Sequence, residues 1–202
     1  MWIAHVPYAE SQGRLRMLYD RIKGPGDNVD NIMLAHSLRP HTMEGHMTIY
    51  KYVLHHSSNN TPKWFLETIG VYVSLLNGCE YCVEHHFAGL QRLLGDSVRG
   101  QQIRRSLEGG TFGSVLTGQE VTALHYAAAL TQTPQDAVLL KKLVDDMRAS
   151  GLDDGCILEI NQVVAYFNYA NRTVQGLGVT TDGDVLGLSP GNSDNLDDWS
   201  HR

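Results

Sequence analysis

Between Thr61 and Leu76 the chain carries Trp64, Phe65, Leu66, Ile69, Val71, Tyr72, Val73, Leu75 and Leu76, and apart from Lys63 in the first turn its only charge is Glu67. Apolar at almost every angle of a 3.6-residue repeat, such a helix has no face for water and must be surrounded by other elements. Thr61 and Pro62 supply a start signal, a hydroxyl N-cap followed by proline at the first helical position. One apolar rod needs amphipathic ones around it, and the rest of the chain provides them.

"ESQGRLRMLYDRI" has Leu15, Leu18, Tyr19 and Ile22 at helical spacing, and the glycines and proline of "KGPGDNVDN" end it. A second helix follows Pro40, with Met43, Met47, Tyr50 and Leu54 on one side. Asn77 is expected to cap a helix running through "FAGLQRLL" to Gly95, with Glu80 placed to reach back as in a capping box. A polar, glycine-bearing stretch follows, in which no helix is read. Thr117 then caps "TGQEVTALHYAAALTQTP", Gly151 ends "QDAVLLKKLVDDMRASG", and the last long helix buries Ile157, Ile160, Val163, Val164, Phe167 and Ala170. No segment sustains the period-two alternation of a strand, so the expected fold class is all-α, a helical bundle.

A length of 202 residues suits one domain with its own core, expected over 1–180. Residues 181–202, rich in Gly, Asp, Asn and Ser, read as a loose polar tail. Glu67 and Glu159 each head an apolar helix, an echo that an internal duplication and chance explain equally well. The net charge of −6 argues against nucleic acid or an anionic membrane as partner. The N-terminus has no basic and apolar leader pattern, and no run approaches the roughly eighteen apolar residues of a membrane span, so a cytoplasmic protein is expected.

In that compartment thiols stay reduced, and a C-x-x-C is more often catalytic or metal-binding than structural. "NGCEYCVEHHFAGL" holds two of the three cysteines and two of the ten histidines. At about 100° per residue, Cys79, Cys82 and His86 share a sector of roughly 60° that faces the core, whereas His85 is turned about 100° from His86 toward an exposed or interface position. Cys79, at the helix start, meets unpaired N–H groups and the positive dipole end, which favour a thiolate. Glu67, an acid on a buried helix, needs a partner, and His86 on the next helix is the candidate. A carboxylate holding an imidazole that deprotonates a thiol is the general form of an activated nucleophile.

The spacing E-x11-C-x2-C-x3-H, here Glu67, Cys79, Cys82 and His86, resembles the signature of the alkyl hydroperoxidase D-like (AhpD-like) branch of the carboxymuconolactone decarboxylase superfamily. The flanks "AHSLRP" and "VAYFNYANR" resemble its peroxidase-related proteins. The resemblance, from about residue 5 to 180, implies an all-helical subunit in a homo-oligomer, a trimer or hexamer, with a thiol peroxidase site and an antioxidant role. It implies that Cys82 is attacked by a hydroperoxide, that Cys79 resolves the sulfenic acid as a redox-active disulfide, and that Glu67 and His86 relay the proton. An external thiol or disulfide reductant then resets the pair, with no organic cofactor and no metal. The best-known members carry a histidine between the cysteines where this chain has Tyr81, whose phenol does not titrate near neutrality.

Other readings compete. A non-redox lyase like the ring-acid decarboxylase branch would not need the cysteine pair. A metal-binding helical module could use Cys79, Cys82 and His86 or His85, but lacks a fourth ligand at the right spacing. Cys156 reads as an incidental thiol, and His55 and His56 as imidazoles suited to a helix C-terminus. Trp64, Tyr72, Tyr166 and Phe167 read as core, and Glu159 as a buried acid paired with Arg172 or another subunit.

Overall fold

A computed structural model describes residues 1–190, 195 and 198–201. Among these, helices α1 (Gly13–Ile22), α2 (Asn31–Ala35), α3 (Pro40–His55), α4 (Lys63–Leu76), α5 (Glu80–Leu94), α6 (Ser97–Gly109), α7 (Gly118–Gln132), α8 (Ala137–Ala149) and α9 (Asp154–Leu177) follow one another without a strand. The all-α expectation holds. No helix among the described residues is long and apolar enough to cross a membrane.

The rod α4 is the axis of the bundle. Every residue from Phe65 to Ser74 is buried, and α3, α5, α6, α7 and α9 all pack on it. The apolar stripes read from α1, α3 and α9 are buried, with α3 and α9 packed on this axis and α1 packed on α3. The approach of α9 is close enough that a Cβ at Gly70 would stand 2.2 Å from Phe167 Cζ, so only glycine lets the ring lie there.

The entry to α4 differs from expectation. The helix starts at Lys63 with Pro62 in the cap position, and no side chain caps it. Instead Glu159 on α9 accepts the backbone N–H of Asn60 at 2.9 Å and of Thr61 at 2.8 Å, so the incoming chain is held by a carboxylate from across the core. Arg172 is not its partner: that guanidinium bonds the carbonyl and side-chain oxygens of Asn168, each at 2.7 Å.

Two helices escaped the sequence reading. α2 is one short turn, and α6 buries only Gly100, Ile103, Ser106 and Leu107, too sparse an apolar face to stand out. Its signals are local: the Asp96 side chain accepts from Arg99 N–H, and Gly110 closes the helix at φ 64°.

The C-terminal segment is also a correction. In its described residues it is not loose: Arg92 donates to Gly187 O at 2.6 Å, the Arg21 guanidinium stacks 3.9 Å from the Trp199 ring, and Trp199 and His201 are buried. A polar composition concealed this, because what anchors the segment is hydrogen bonding by Asp184 and His201 rather than an apolar stripe.

Candidate functional site

The two helices that carry the motif are joined by the shortest of turns. Asn77 ends α4, Gly78 turns the chain at φ 65°, and Cys79 N–H returns to Ser74 O at 2.9 Å. Cys79 therefore occupies the cap position of α5 rather than its first turn, and neither Asn77 nor Glu80 caps the helix. Asn77 Nδ2 instead donates to Asn171 Oδ1 at 2.9 Å and to Asn168 Oδ1 at 3.2 Å, tying the turn to α9.

This tight antiparallel turn brings Glu67 and His86 together. Nδ1 of His86 is 2.7 Å from Glu67 Oε2, with the acid side chain 3% exposed and the ring 15%. Phe167 presents its edge to the imidazole, ring centroids 4.5 Å apart. The Nδ1 contact fixes the ring and leaves Nε2 for chemistry, the orientation a general base requires.

Both motif thiols are buried and unlinked. A hydrogen bond from Cys82 lowers the pKa of the Cys79 thiol and outweighs its burial, whereas the same bond, together with burial, holds the Cys82 thiol well above the ordinary range. Cys79 is thus the more acidic sulfur. Of the two, only Cys82 reaches the cavity of about 40 Å³ that Glu67, His86, Asp30, His85 and His201 also line. Cys79 lines a different hollow, beside Gly178 and Thr180.

The second histidine of the pair is not turned to solvent. His85 Nε2 lies 3.0 Å from Asp184 Oδ2, its side chain 10% exposed, because the C-terminal segment covers the face of α5 that sequence spacing left open. Tyr81 O–H donates to the same oxygen at 2.8 Å and accepts Ile32 N–H at 3.2 Å, so the residue between the cysteines serves the latch of that segment. Burial, then the charge of Asp184, pushes the Tyr81 phenol well above its ordinary pKa.

No protein-family model matches the sequence, and no curated protein matches it. Solved structures do. A peroxidase-related protein from Silicibacter sp. TM1040 is similar with a TM-score of 0.71 at 21% identity, over 91% of this chain and 90% of that one. The AhpD core of a peroxidase-related protein from Ralstonia eutropha JMP134 gives 0.69 at 18%, over 85% and 84%. The debrominase Bmp8 gives 0.64 at 18%, over 84% of each.

The chain has the AhpD-like fold.

At these identities the likeness is one of fold, and the residues of this chain must carry the rest. Within this AhpD-like bundle Glu67, Cys82 and His86 line one cavity while Cys79, hydrogen-bonded to Cys82, lines another hollow, and several neighbours carry no sequence signal. His55, read as a helix-end imidazole, is fully buried with Nε2 4.0 Å from Glu67 Oε1, and burial holds its pKa well below the usual value. Tyr166, read as core, is buried and lines the cavity with Tyr50 and His46. Asp30, Asp184 and His201 had no sequence signal, since nothing local links segments so far apart. Cys156 stays outside the site: its N–H bonds Asp153 at 2.8 Å and burial raises its thiol pKa. Among the described residues, Cys79, Cys82 and His86 do not converge as metal donors.

Proposed function

We propose that this chain is a thiol-dependent hydroperoxide reductase, a disulfide oxidoreductase in the broad sense. The observation that carries the reading is the 2.7 Å pair of Glu67 and His86 in the same cavity as Cys82. His86, held by Glu67, takes the Cys82 proton directly or through one water. The sulfur attacks the terminal peroxide oxygen, the O–O bond breaks, and the leaving alkoxide takes the proton from His86 as an alcohol. Cys82 is now a sulfenic acid. The Cys79 thiolate attacks that sulfur, the S–S bond forms, and hydroxide leaves to become water.

A dithiol reductant then reverses the oxidation, its first thiolate attacking Cys79 from the separate hollow and its second completing the exchange. This division supports the family-like assignment of the reactive role to Cys82 although Cys79 is the more acidic thiol: the more acidic sulfur is kept for resolution, and the sulfur that shares the cavity with the base meets the substrate. The reading includes a homo-oligomer, trimer or hexamer, to which exposed Trp2, Val98 and Val138 would contribute apolar surface.

The cavity beside Cys82 has room for a water-sized group such as –OOH. The test is a thiol count before and after one equivalent of hydroperoxide, with mass spectrometry locating the bridge. Loss of two thiols and a Cys79–Cys82 disulfide are expected, and Cys82→Ser should abolish both; unchanged thiols in the parent protein would end the proposal.

A further inference from the structure

We propose that Asp30, His85, Asp184 and His201 form a binding site for a divalent first-row transition ion, of the zinc or manganese kind, beside the cavity that Cys82 lines. The proposal is independent of the peroxidase reading.

Donor atoms of Asp30, His85 and Asp184 lie within 4.8 Å of one another, although they come from the loop before α2, the middle of α5 and the C-terminal segment. His85 Nε2 and Asp184 Oδ2 are 3.0 Å apart, close to the ligand–ligand edge of a sphere with bonds of about 2.0–2.2 Å.

His201 supplies the independent observation. The residue is 6% exposed, and its Nδ1 is 2.7 Å from Ile22 O. A carbonyl only accepts, so Nδ1 carries a proton, and in the neutral ring Nε2 carries a lone pair. That lone pair faces Asp30 Oδ2 at 4.0 Å, too far for a hydrogen bond. A lone pair opposed to a buried carboxylate is an unfavourable arrangement that a cation would reverse. An imidazole anchored on a backbone carbonyl through one nitrogen, with the other aimed inward, is how metal-binding histidines are held.

Charge points the same way. Among the described residues Asp30 and Asp184 are ion-paired to no lysine or arginine, and the ionic contacts they make there are with His201 and His85. Two carboxylates gathered in one covered site are a placement that a dication neutralises. Asp184 is held in place by Tyr81 O–H on Oδ2 at 2.8 Å and by Asn31 N–H on Oδ1 at 3.0 Å. Only the His85–Asp184 bond must be exchanged: Nε2 gives up the proton it donates to Asp184, the neutral ring carries its proton on Nδ1 instead, and the Nε2 lone pair turns on the ion. Two nitrogens and two carboxylates suit borderline first-row ions better than calcium or magnesium.

The experiment uses the full chain with Cys79→Ser and Cys82→Ser, which removes competing thiolates, titrated with Zn²⁺ by calorimetry. One ion per chain is expected, with affinity reduced at least about tenfold by Asp30→Asn or His201→Gln. No binding, or full affinity in both variants, would overturn the site, as would binding by the parent that is lost with the two cysteines. Should a variant fail to fold, Co²⁺ added to the dithiol-free protein decides alone: visible absorption without a thiolate charge-transfer band is expected, and no absorption would refute it. A failed titration leaves peroxide oxidation of the parent dithiol unaffected, so the two readings are judged apart.

Discussion

His86 meets Glu67 across 2.7 Å in a pair whose acid sits on the central helix of the bundle and whose imidazole sits one turn beyond Cys82 on the next. The contact joins the most buried element of the fold to the reactive one. A carboxylate at Nδ1 makes the far nitrogen a better base, and glutamine in the same place keeps the shape without the charge. Glu67→Gln is therefore expected to slow peroxide-driven thiol loss at neutral pH by about a hundredfold with an unchanged circular dichroism spectrum. Wild-type rates in that variant would remove the relay.

The order of events at the sulfurs can be separated from their acidity. In Cys79→Ser, peroxide should leave a sulfenic acid on Cys82 that dimedone traps in a one-to-one adduct, since Cys82 is the thiol that reaches the cavity. In Cys82→Ser the adduct at Cys79 should be at least about tenfold slower to form, because that sulfur lines the other hollow. Equal rates would mean that acidity, which favours Cys79, outweighs access.

The parts of this arrangement that sequence reveals are those set by local periodicity. The buried residues of α1, α3 and α9 stand where 3.6-residue spacing puts them, and a three-residue link between α4 and α5 makes their antiparallel packing, and so the Glu67–His86 contact, foreseeable. The illegible parts depend on encounters between remote segments. Glu159 holds the start of α4 from about a hundred residues away, a role Thr61 was expected to fill. His85 is removed from solvent by Asp184, which no helical wheel of α5 contains. A polar tail and a packed polar segment have the same composition; only the donors waiting at Tyr81 and Asn31 distinguish them.

Gly70 tests the packing beneath the site. A methyl group there would stand 2.2 Å from Phe167 Cζ and 2.3 Å from Cε2, far inside contact distance, and Phe167 is itself fully buried and edge-on to His86. Overpacking of this kind costs about 1–3 kcal/mol. Gly70→Ala should lower the urea midpoint accordingly and disturb the imidazole, whereas adding Phe167→Leu should recover part of the loss. Additive losses in the double variant would show that the ring is not what excludes the methyl group.

Acid should loosen the bundle, and His46 gives the reason. Buried between α3 and α9 with Nε2 3.3 Å from the Tyr166 hydroxyl, and with the rings of His36, Tyr50 and Tyr169 around it, its pKa is lowered from 6.5 to about 3 by burial first and then by the charges of His36, His201 and His86. A histidine depressed in the folded state contributes its full stability above the unfolded pKa of 6.5. As pH falls from there toward about 3, the unfolded chain binds a proton that the native one refuses, at a cost of about 1.4 kcal/mol per pH unit. His36, His55 and His201 are shifted in the same direction and add to the slope. Urea denaturation at pH 5.0 against pH 7.5 should show a loss of about 2 kcal/mol from His46 alone. His46→Gln, which keeps a hydrogen-bonding group toward Tyr166 and does not titrate, should flatten the profile by that share, and an unchanged slope would mean that His46 takes up its proton in the folded protein as readily as in the unfolded chain.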